Sequence, residues 1–273
     1  MALTDLQRRV CRVLADRRIA GGESYVAGGL ALNAAIGGAR VSRDIDLFHD
    51  TDEALSVSYS ADVSALERAG FAPAPVRTTV GFIEAVLREE GEALEIQWVR
   101  DSAYRFFPLV THPDLGLTLD PFDLATNKVL ALVGRVAVRD WVDIIACHER
   151  VTSLGCLAWA ATGKDPGLGP LLIVDEAART ARYSAPEFDS LAFEGEPPSR
   201  EALGMTWRAA LADARASLEI LPPAEIGRAV LDADGTPFRG DASLLAAALA
   251  AGAIAFHQGA IGGVLPAVRP KLV

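Results

Sequence analysis

Tyr25-Val26-Ala27-Gly28-Gly29-Leu30-Ala31-Leu32, then Arg40-Val41-Ser42-Arg43-Asp44-Ile45-Asp46-Leu47-Phe48, spell a strand, a glycine turn, a helix and a second strand. Alternate residues of a strand point to opposite faces. Asp44 and Asp46 therefore share one face of the second strand, while Ile45 and Leu47 point into a core. Two carboxylates so placed repel unless a cation lies between them. A hard divalent ion such as Mg2+, bound through one or two carboxylates plus substrate phosphates, suits the pair. Gly28-Gly29 at the mouth of the helix supplies the complement, because backbone N–H groups and a positive helix end suit a triphosphate. Either half alone is commonplace: a diglycine is usually a turn, and Asp-x-Asp on a strand is usually a solvated edge.

In this order the two halves resemble the nucleotidyltransferase superfamily of the DNA polymerase beta type. Gly-Gly-x-Ala-Leu, with Arg-x-Ser-x-Asp-Ile-Asp-Leu-Phe starting 11 residues after Gly29, is similar to the AbiEii branch, known for toxins of type IV toxin–antitoxin systems. The resemblance implies an α+β fold with a nucleotidyltransferase-type mixed sheet flanked by helices, followed by a helical C-terminal subdomain. It implies a Mg2+-dependent enzyme that moves a nucleoside monophosphate from a nucleoside triphosphate (NTP) to an acceptor. Some relatives use tRNA 3′ ends, and a toxin of this kind implies a cognate antitoxin protein. Gly28 and Gly29 would then underlie the phosphates, with Ser42 giving a further hydrogen bond. Arg40 would either reach a phosphate or pair with a carboxylate.

A second constellation runs Asp123-Leu124-Ala125-Thr126-Asn127-Lys128-Val129-Leu130-Ala131-Leu132, with Leu124, Val129 and Leu132 near one helical stripe. Arg139-Asp140-Trp141-Val142-Asp143 follows, and Asp140 and Asp143 share a helix face. The pair of segments resembles the Asp-Leu-x-x-x-Lys helix and Arg-Asp-x-x-Asp motif of the same branch. Lys128 is one of only three lysines, against 23 arginines. A lysine kept in so arginine-biased a chain supplies a compact ammonium, suited to neutralising phosphate charge. The resemblance makes Asp44, Asp46, Lys128 and Asp143 the catalytic set, with Asp143 orienting Lys128 or contacting base or acceptor. The blander reading is a solvated helix face with an intrahelical ion pair.

A third metal-holding acid is expected on a neighbouring strand. Ala93-Leu94-Glu95-Ile96-Gln97-Trp98-Val99 alternates cleanly, with Leu94, Ile96 and Trp98 facing one side. Glu95 and Gln97 face the other, and register decides which lies at the site. Glu95 is taken with Asp44 and Asp46 as the metal set; Gln97 there would leave two carboxylates and a neutral amide.

Composition frames these motifs. The 273-residue chain is 51% hydrophobic and can bury a large core in two parts, a catalytic core over 1–120 and a helical subdomain over 121–273. No apolar run reaches the length of a membrane span. The start of the chain reads as an amphipathic helix rather than a signal peptide. Three cysteines without metal-ligand spacing point to reduced thiols in a cytoplasmic protein. A net charge of −10 argues against nonspecific coating of nucleic acid. Local arginine clusters, Arg8-Arg9-Arg12-Arg17-Arg18 and Arg179-Arg182, leave room for an RNA substrate, though each reads equally as a solvated helix face.

Strands are expected at 23–27 and 41–49, with a hairpin of 78–88 and 92–99 and a short strand or turn over 111–119. After Pro121 the expected elements are helices near 122–132, 140–151, 153–161, 169–182, 199–221, 223–231 and 243–258. The tail from Val264 carries two prolines around a short basic stretch. Three functions follow: a toxin-like nucleotidyltransferase acting on RNA, one modifying a small molecule or protein hydroxyl, or a weak homologue that binds nucleotide without transfer.

Overall fold

The computed structural model describes residues 3–22, 24–180 and 183–262. Glu23, Arg182 and the tail from Val264 lie outside the described residues. The chain divides into two compact units, one of Met1–Gly37, Val41–Asp120 and Ala260–Val273, the other of Gly38–Arg40 and Pro121–Gly259.

The first unit carries α1 (Asp5–Gly21), β1 (Tyr25–Ala27), α2 (Gly28–Ile36), β2 (Asp44–His49), α3 (Asp52–Arg68), β3 (Ala74–Thr79), β4 (Phe82–Glu89), β5 (Glu92–Arg100), β6 (Tyr104–Arg105), β7 (Val110–His112) and β8 (Gly116–Thr118). Seven of these strands form one sheet in the order β3-β4-β5-β2-β1-β8-β7. β2 runs parallel to β5, β1 runs parallel to β8, and the remaining pairs are antiparallel. It is the mixed, helix-flanked α+β sheet the sequence implies.

Alternation decides the faces. Ile45 and Leu47 of β2 and Leu94, Ile96 and Trp98 of β5 are buried, while Asp44 and Asp46 are half-buried on the opposite face. α1 opens on a Thr4–Gln7 capping box and closes on Gly22 in the left-handed region, where a glycine is least costly. Its Gln7 also reaches across to the chain entering β2, where Nε2 donates to the Ser42 carbonyl at 2.7 Å.

The hairpin expected in this unit changes. The strand expected over 78–88 is two strands, because Val80 and Gly81 (φ 73°) make the turn between β3 and β4. β3 is an edge strand exposed throughout, with a register shift after Pro75. A proline and an absent apolar face hide such a strand from pattern reading.

The second unit carries α4 (Pro121–Arg135), α5 (Val138–Arg150), α6 (Leu154–Lys164), α7 (Pro170–Thr180), α8 (Ala185–Asp189), α9 (Arg200–Ile220), β9 (Arg228–Asp232), α10 (Ala242–Ala250) and β10 (Ile254–Gln258). α6 is buried from Leu154 to Ala161, and Gly155 lets α9 come close: a Cβ there would lie 3.1 Å from the Ala214 Cα. Cys156, Trp159, Leu221, Val230, Phe238 and Leu245 form a hydrophobic cluster.

Here the all-helical expectation is corrected. The segment 223–231 is a short 3-10 turn and then β9, and 243–258 is α10 followed by β10; the two strands pair antiparallel. Gly227 (φ 83°) and Gly252 (φ 65°) break the expected helices. The helix expected over 243–258 stops at Ala250, and only Leu245 of α10 is buried. Among the described residues no helix is long and apolar enough to cross a membrane.

The arginines of α1 all find acids. Arg8 pairs with Asp5, Arg9 with Glu89, Arg12 with Asp114, and Arg17 and Arg18 with Asp62. Arg18 is buried, so its partner matters most: Asp62 accepts from Arg18 at 3.2 Å and from the Trp98 indole at 3.0 Å. Removing one member of a buried pair leaves the other charge uncompensated, at a cost of about 3–5 kcal/mol. Asp62→Ala is therefore expected to lower the free energy of unfolding by that amount in urea titration. A loss under about 1 kcal/mol, as for a surface pair, would contradict the buried assignment.

Candidate active site

In the first unit the two expected carboxylates stand where β1, α2 and β2 meet. Ala27 faces Asp46 across the β1–β2 ladder, and the next residue, Gly28, opens α2 with φ 65°. A Cβ built on Gly28 would collide with the Asp46 carboxylate, so the backbone lies directly against that acid. Only glycine combines the left-handed backbone with so close an approach. On the other side of β2, the parallel register sets Asp44 beside Glu95 and Asp46 beside Gln97. Both residues weighed for the third position thus belong to the same face as the two aspartates, with Glu95 the neighbour of Asp44.

Among the described residues no group of three His, Cys, Asp or Glu side chains closes into a metal-holding cluster. Asp44 and Asp46 with a glycine cradle still match what Mg2+ asks of a protein, since that ion takes one or two carboxylates and fills its octahedron with substrate phosphates and water. Ser42 is buried, two residues before Asp44.

The second unit assembles the other motif residues. Lys128 on α4 donates to Asp140 on α5 at 2.9 Å and lies 3.1 Å from Asp143. The pair joins two helices, so it is neither intrahelical nor solvated. Arg40 sets its fork on Asp143, Nε and Nη2 each at 2.7 Å. Of the two roles open to Arg40, carboxylate pairing is the one seen. Arg135 completes the group with two hydrogen bonds to Asp140, at 2.7 and 2.9 Å. Three cations meet two anions here.

Burial alone would push the Lys128 ammonium toward neutrality, but the charges of Asp143 and Asp140 outweigh it and raise its pKa. Burial likewise opposes the ionised Asp140. The hydrogen bond from Arg135, with the charge and hydrogen bond of Lys128, overcomes that and brings Asp140 down to about 2.

Asp140 and Arg135 were not singled out as site residues from sequence. Asp140 is the closer partner of Lys128, and the second acid three residues before Asp143 was the available signal. Lys164 was also missed. It sits on Asp123 at 2.8 Å with its side chain 4% exposed. The rarity of lysine that flags Lys128 would have flagged it too. Arg105 makes a two-pronged pair with Asp50 at 2.7 and 2.9 Å.

No family model matches the sequence, and no curated protein matches it. Solved structures do. MenT4, a nucleotidyltransferase toxin from Mycobacterium tuberculosis H37Rv, superposes with a TM-score of 0.53 at 18% identity, over 81% of this chain and 84% of that one. The fold is that of the nucleotidyltransferases. A candidate nucleotidyltransferase from H. pylori matches with a TM-score of 0.50 at 16% identity, over 80% of this chain and 98% of that one. At such identities the likeness concerns the fold.

Two outcomes follow from this geometry. Gly28→Ala combines left-handed strain with a clash against Asp46, and a thermal melt is expected to show a loss of about 1–3 kcal/mol; an unchanged melting temperature would refute the close approach. Asp140 has a native pKa below its ordinary 3.8, so its contribution is complete above pH 4 and fades as pH falls toward 2. Asp140→Asn is expected to cost roughly 2 kcal/mol near neutrality, with the gap to the parent closing on acidification in urea titrations from pH 6 to 2.5. A gap independent of pH would show that the carboxylate charge is not what stabilises the pair.

Proposed function

We propose that this protein is a Mg2+-dependent nucleotidyltransferase of toxin type, moving a nucleoside monophosphate from an NTP to RNA, with tRNA the expected acceptor. The observation that carries the reading is the paired Asp44 and Asp46 on one face of β2, with the Gly28 turn and the start of α2 packed against Asp46. The fold shared with nucleotidyltransferases supports it.

In this reading Asp44 and Asp46 hold the metal, with Glu95 beside Asp44 as the third acid. When bound, Mg2+ supplies charge neutralisation on the triphosphate and polarises the α-phosphate. Gly28 and Gly29 offer backbone N–H groups to the phosphates, and Ser42 is the further nucleotide contact inferred from the resemblance, while Arg40 keeps its fork on Asp143. The acceptor hydroxyl oxygen forms a bond to the α-phosphorus and gives its proton to a carboxylate of the aspartate face. The bond between the α-phosphorus and the bridging oxygen breaks, and pyrophosphate leaves with the electron pair. Lys128 is assigned to offset the charge on that leaving group, and Asp143 to orient its ammonium; the 3.1 Å contact between them supports the second role. A cytoplasmic setting and an antitoxin partner complete the proposal.

A small-molecule or protein hydroxyl is the second reading for the acceptor. The pairing of Arg8, Arg9, Arg12, Arg17 and Arg18 with carboxylates favours it, since it removes the densest basic run as a track for RNA.

The test incubates the purified chain with Mg2+, each labelled NTP and total tRNA. Label on tRNA is expected, falling by more than about 100-fold in Asp46→Asn, beyond what loss of an outer-shell partner causes. Label on protein or a small acceptor instead selects the second reading. Transfer that survives Asp46→Asn, or none from the parent chain, rejects the aspartate pair as the catalytic centre.

A further inference from the structure

The aspartate face of the first unit does not end at β2. Strand register carries it outward through β5 and β4 to the edge strand β3. One row across these strands is rich in charge: Asp46 stands beside Gln97, Gln97 beside Glu84, and Glu84 beside Arg77. The adjoining row carries none: Phe48 stands beside Val99, Val99 beside Phe82, and Phe82 beside Thr79. Phe48, Val99 and Phe82 are each half-buried, whereas Leu47, Trp98 and Ile83 on the opposite face are buried. Neighbouring strands lie about 4.8 Å apart, so β4 stands about 10 Å from β2.

Arg77 sits at the outer end of this face. Its guanidinium lies over the Phe82 ring, 5.2 Å from the centroid, rather than on Glu84 across the ladder. Among the described residues it pairs with no carboxylate, whereas the five arginines of α1 are all held by acids. β3 is exposed throughout, and a solvated guanidinium leaves an aromatic ring at little cost.

A half-exposed ring with an uncommitted guanidinium beside it matches the two parts of a nucleotide. The ring stacks on a base of any identity, and the guanidinium takes the phosphate. A polyanion would be repelled along the row that holds Asp46 and Glu84, so the uncharged row is the track open to it.

We propose that the Phe48–Val99–Phe82 row holds the single-stranded end of an RNA acceptor, an inference that rests on the nucleotidyltransferase reading above. One base stacks on Phe82, and Arg77 swings from the ring to the neighbouring phosphate. Val99 and Phe48 form the apolar floor that leads toward Asp44 and Asp46. The offset of two strands means that the stacked base precedes the reacting nucleotide rather than being it.

A fluorescein-labelled single-stranded RNA oligonucleotide is titrated with the full chain and followed by anisotropy, with Mg2+ but no NTP, so that binding is read without transfer. Phe82→Leu keeps an apolar side chain and removes the stacking face; it is expected to weaken binding about five-fold or more, and Phe82→Trp to restore it. Arg77→Gln is expected to lower the slope of log affinity against log salt by about one. Arg77 lies on an exposed edge strand, so this variant carries the test should Phe82→Leu fail to fold. Arg68→Gln removes an equal charge from an exposed position on α3, whose Tyr59 packs on Trp98 at the opposite face, and is expected to bind like the parent. Binding unchanged in both Phe82→Leu and Arg77→Gln overturns the proposal, as does an equal loss in Arg68→Gln, which would mean diffuse attraction. A parent chain that ignores the RNA also overturns it and points to a small-molecule or protein acceptor. Failure of the aspartate centre shows separately, as absent transfer in the tRNA assay while the binding pattern here persists.

Discussion

The two-residue period of a strand is the constraint from which the first unit is built. On β2 it sends Ile45, Leu47 and His49 into the core and leaves Asp44 and Asp46 on the other face. A slip of one residue would bury both carboxylates and expose the apolar set, so one register is strongly enforced. The same alternation on β5 matches Ile96 and Trp98 to Ile45 and Leu47 in the parallel ladder. Core formation and the crowding of acids are thus one event. The energy that holds two like charges side by side comes from the apolar residues between and beyond them.

A different balance operates in the second unit. Lys128, Arg40 and Arg135 converge on Asp140 and Asp143, both of which are fully buried. Burying ions is expensive, and such groups persist only where hydrogen bonds satisfy most of their lone pairs. Asp140 meets that condition with three donor contacts from Arg135 and Lys128. Lysine and arginine divide the work by shape: the planar forks of Arg40 and Arg135 take a carboxylate edge-on, while the compact ammonium of Lys128 sits between two acids.

The sheet and the aspartate pair were legible in the sequence because both depend on local pattern. Alternation, glycine punctuation and the order of motifs placed β1, α2, β2 and β5 within a few residues. What was not legible depended on partners far away in the chain. β3 lacks an apolar face and carries Pro75. β9 and β10 are separated by α10, so the two do not form a hairpin with each other, and the turn after β9 instead folds Pro237 back beside Leu231. The Arg105–Asp50 and Arg18–Asp62 pairs span 55 and 44 residues. Spacing rules that work along a helix or strand say nothing about such encounters. The lysine motif falls between these cases: its helices were expected, while the choice of Asp140 as the closer partner needed the packing of α4 on α5.

The scarcity of lysine has a practical consequence. Lys128 and Lys164 are each sealed against aspartates with side chains 5% and 4% exposed. Reagents that seek amines, whether cross-linkers, fluorescent esters or acetyl donors, meet almost no reactive nitrogen among the described residues. Among the described residues, surface chemistry falls instead to guanidinium and carboxyl groups, so carbodiimide coupling would reach this part of the protein and leave both buried ammonium groups untouched.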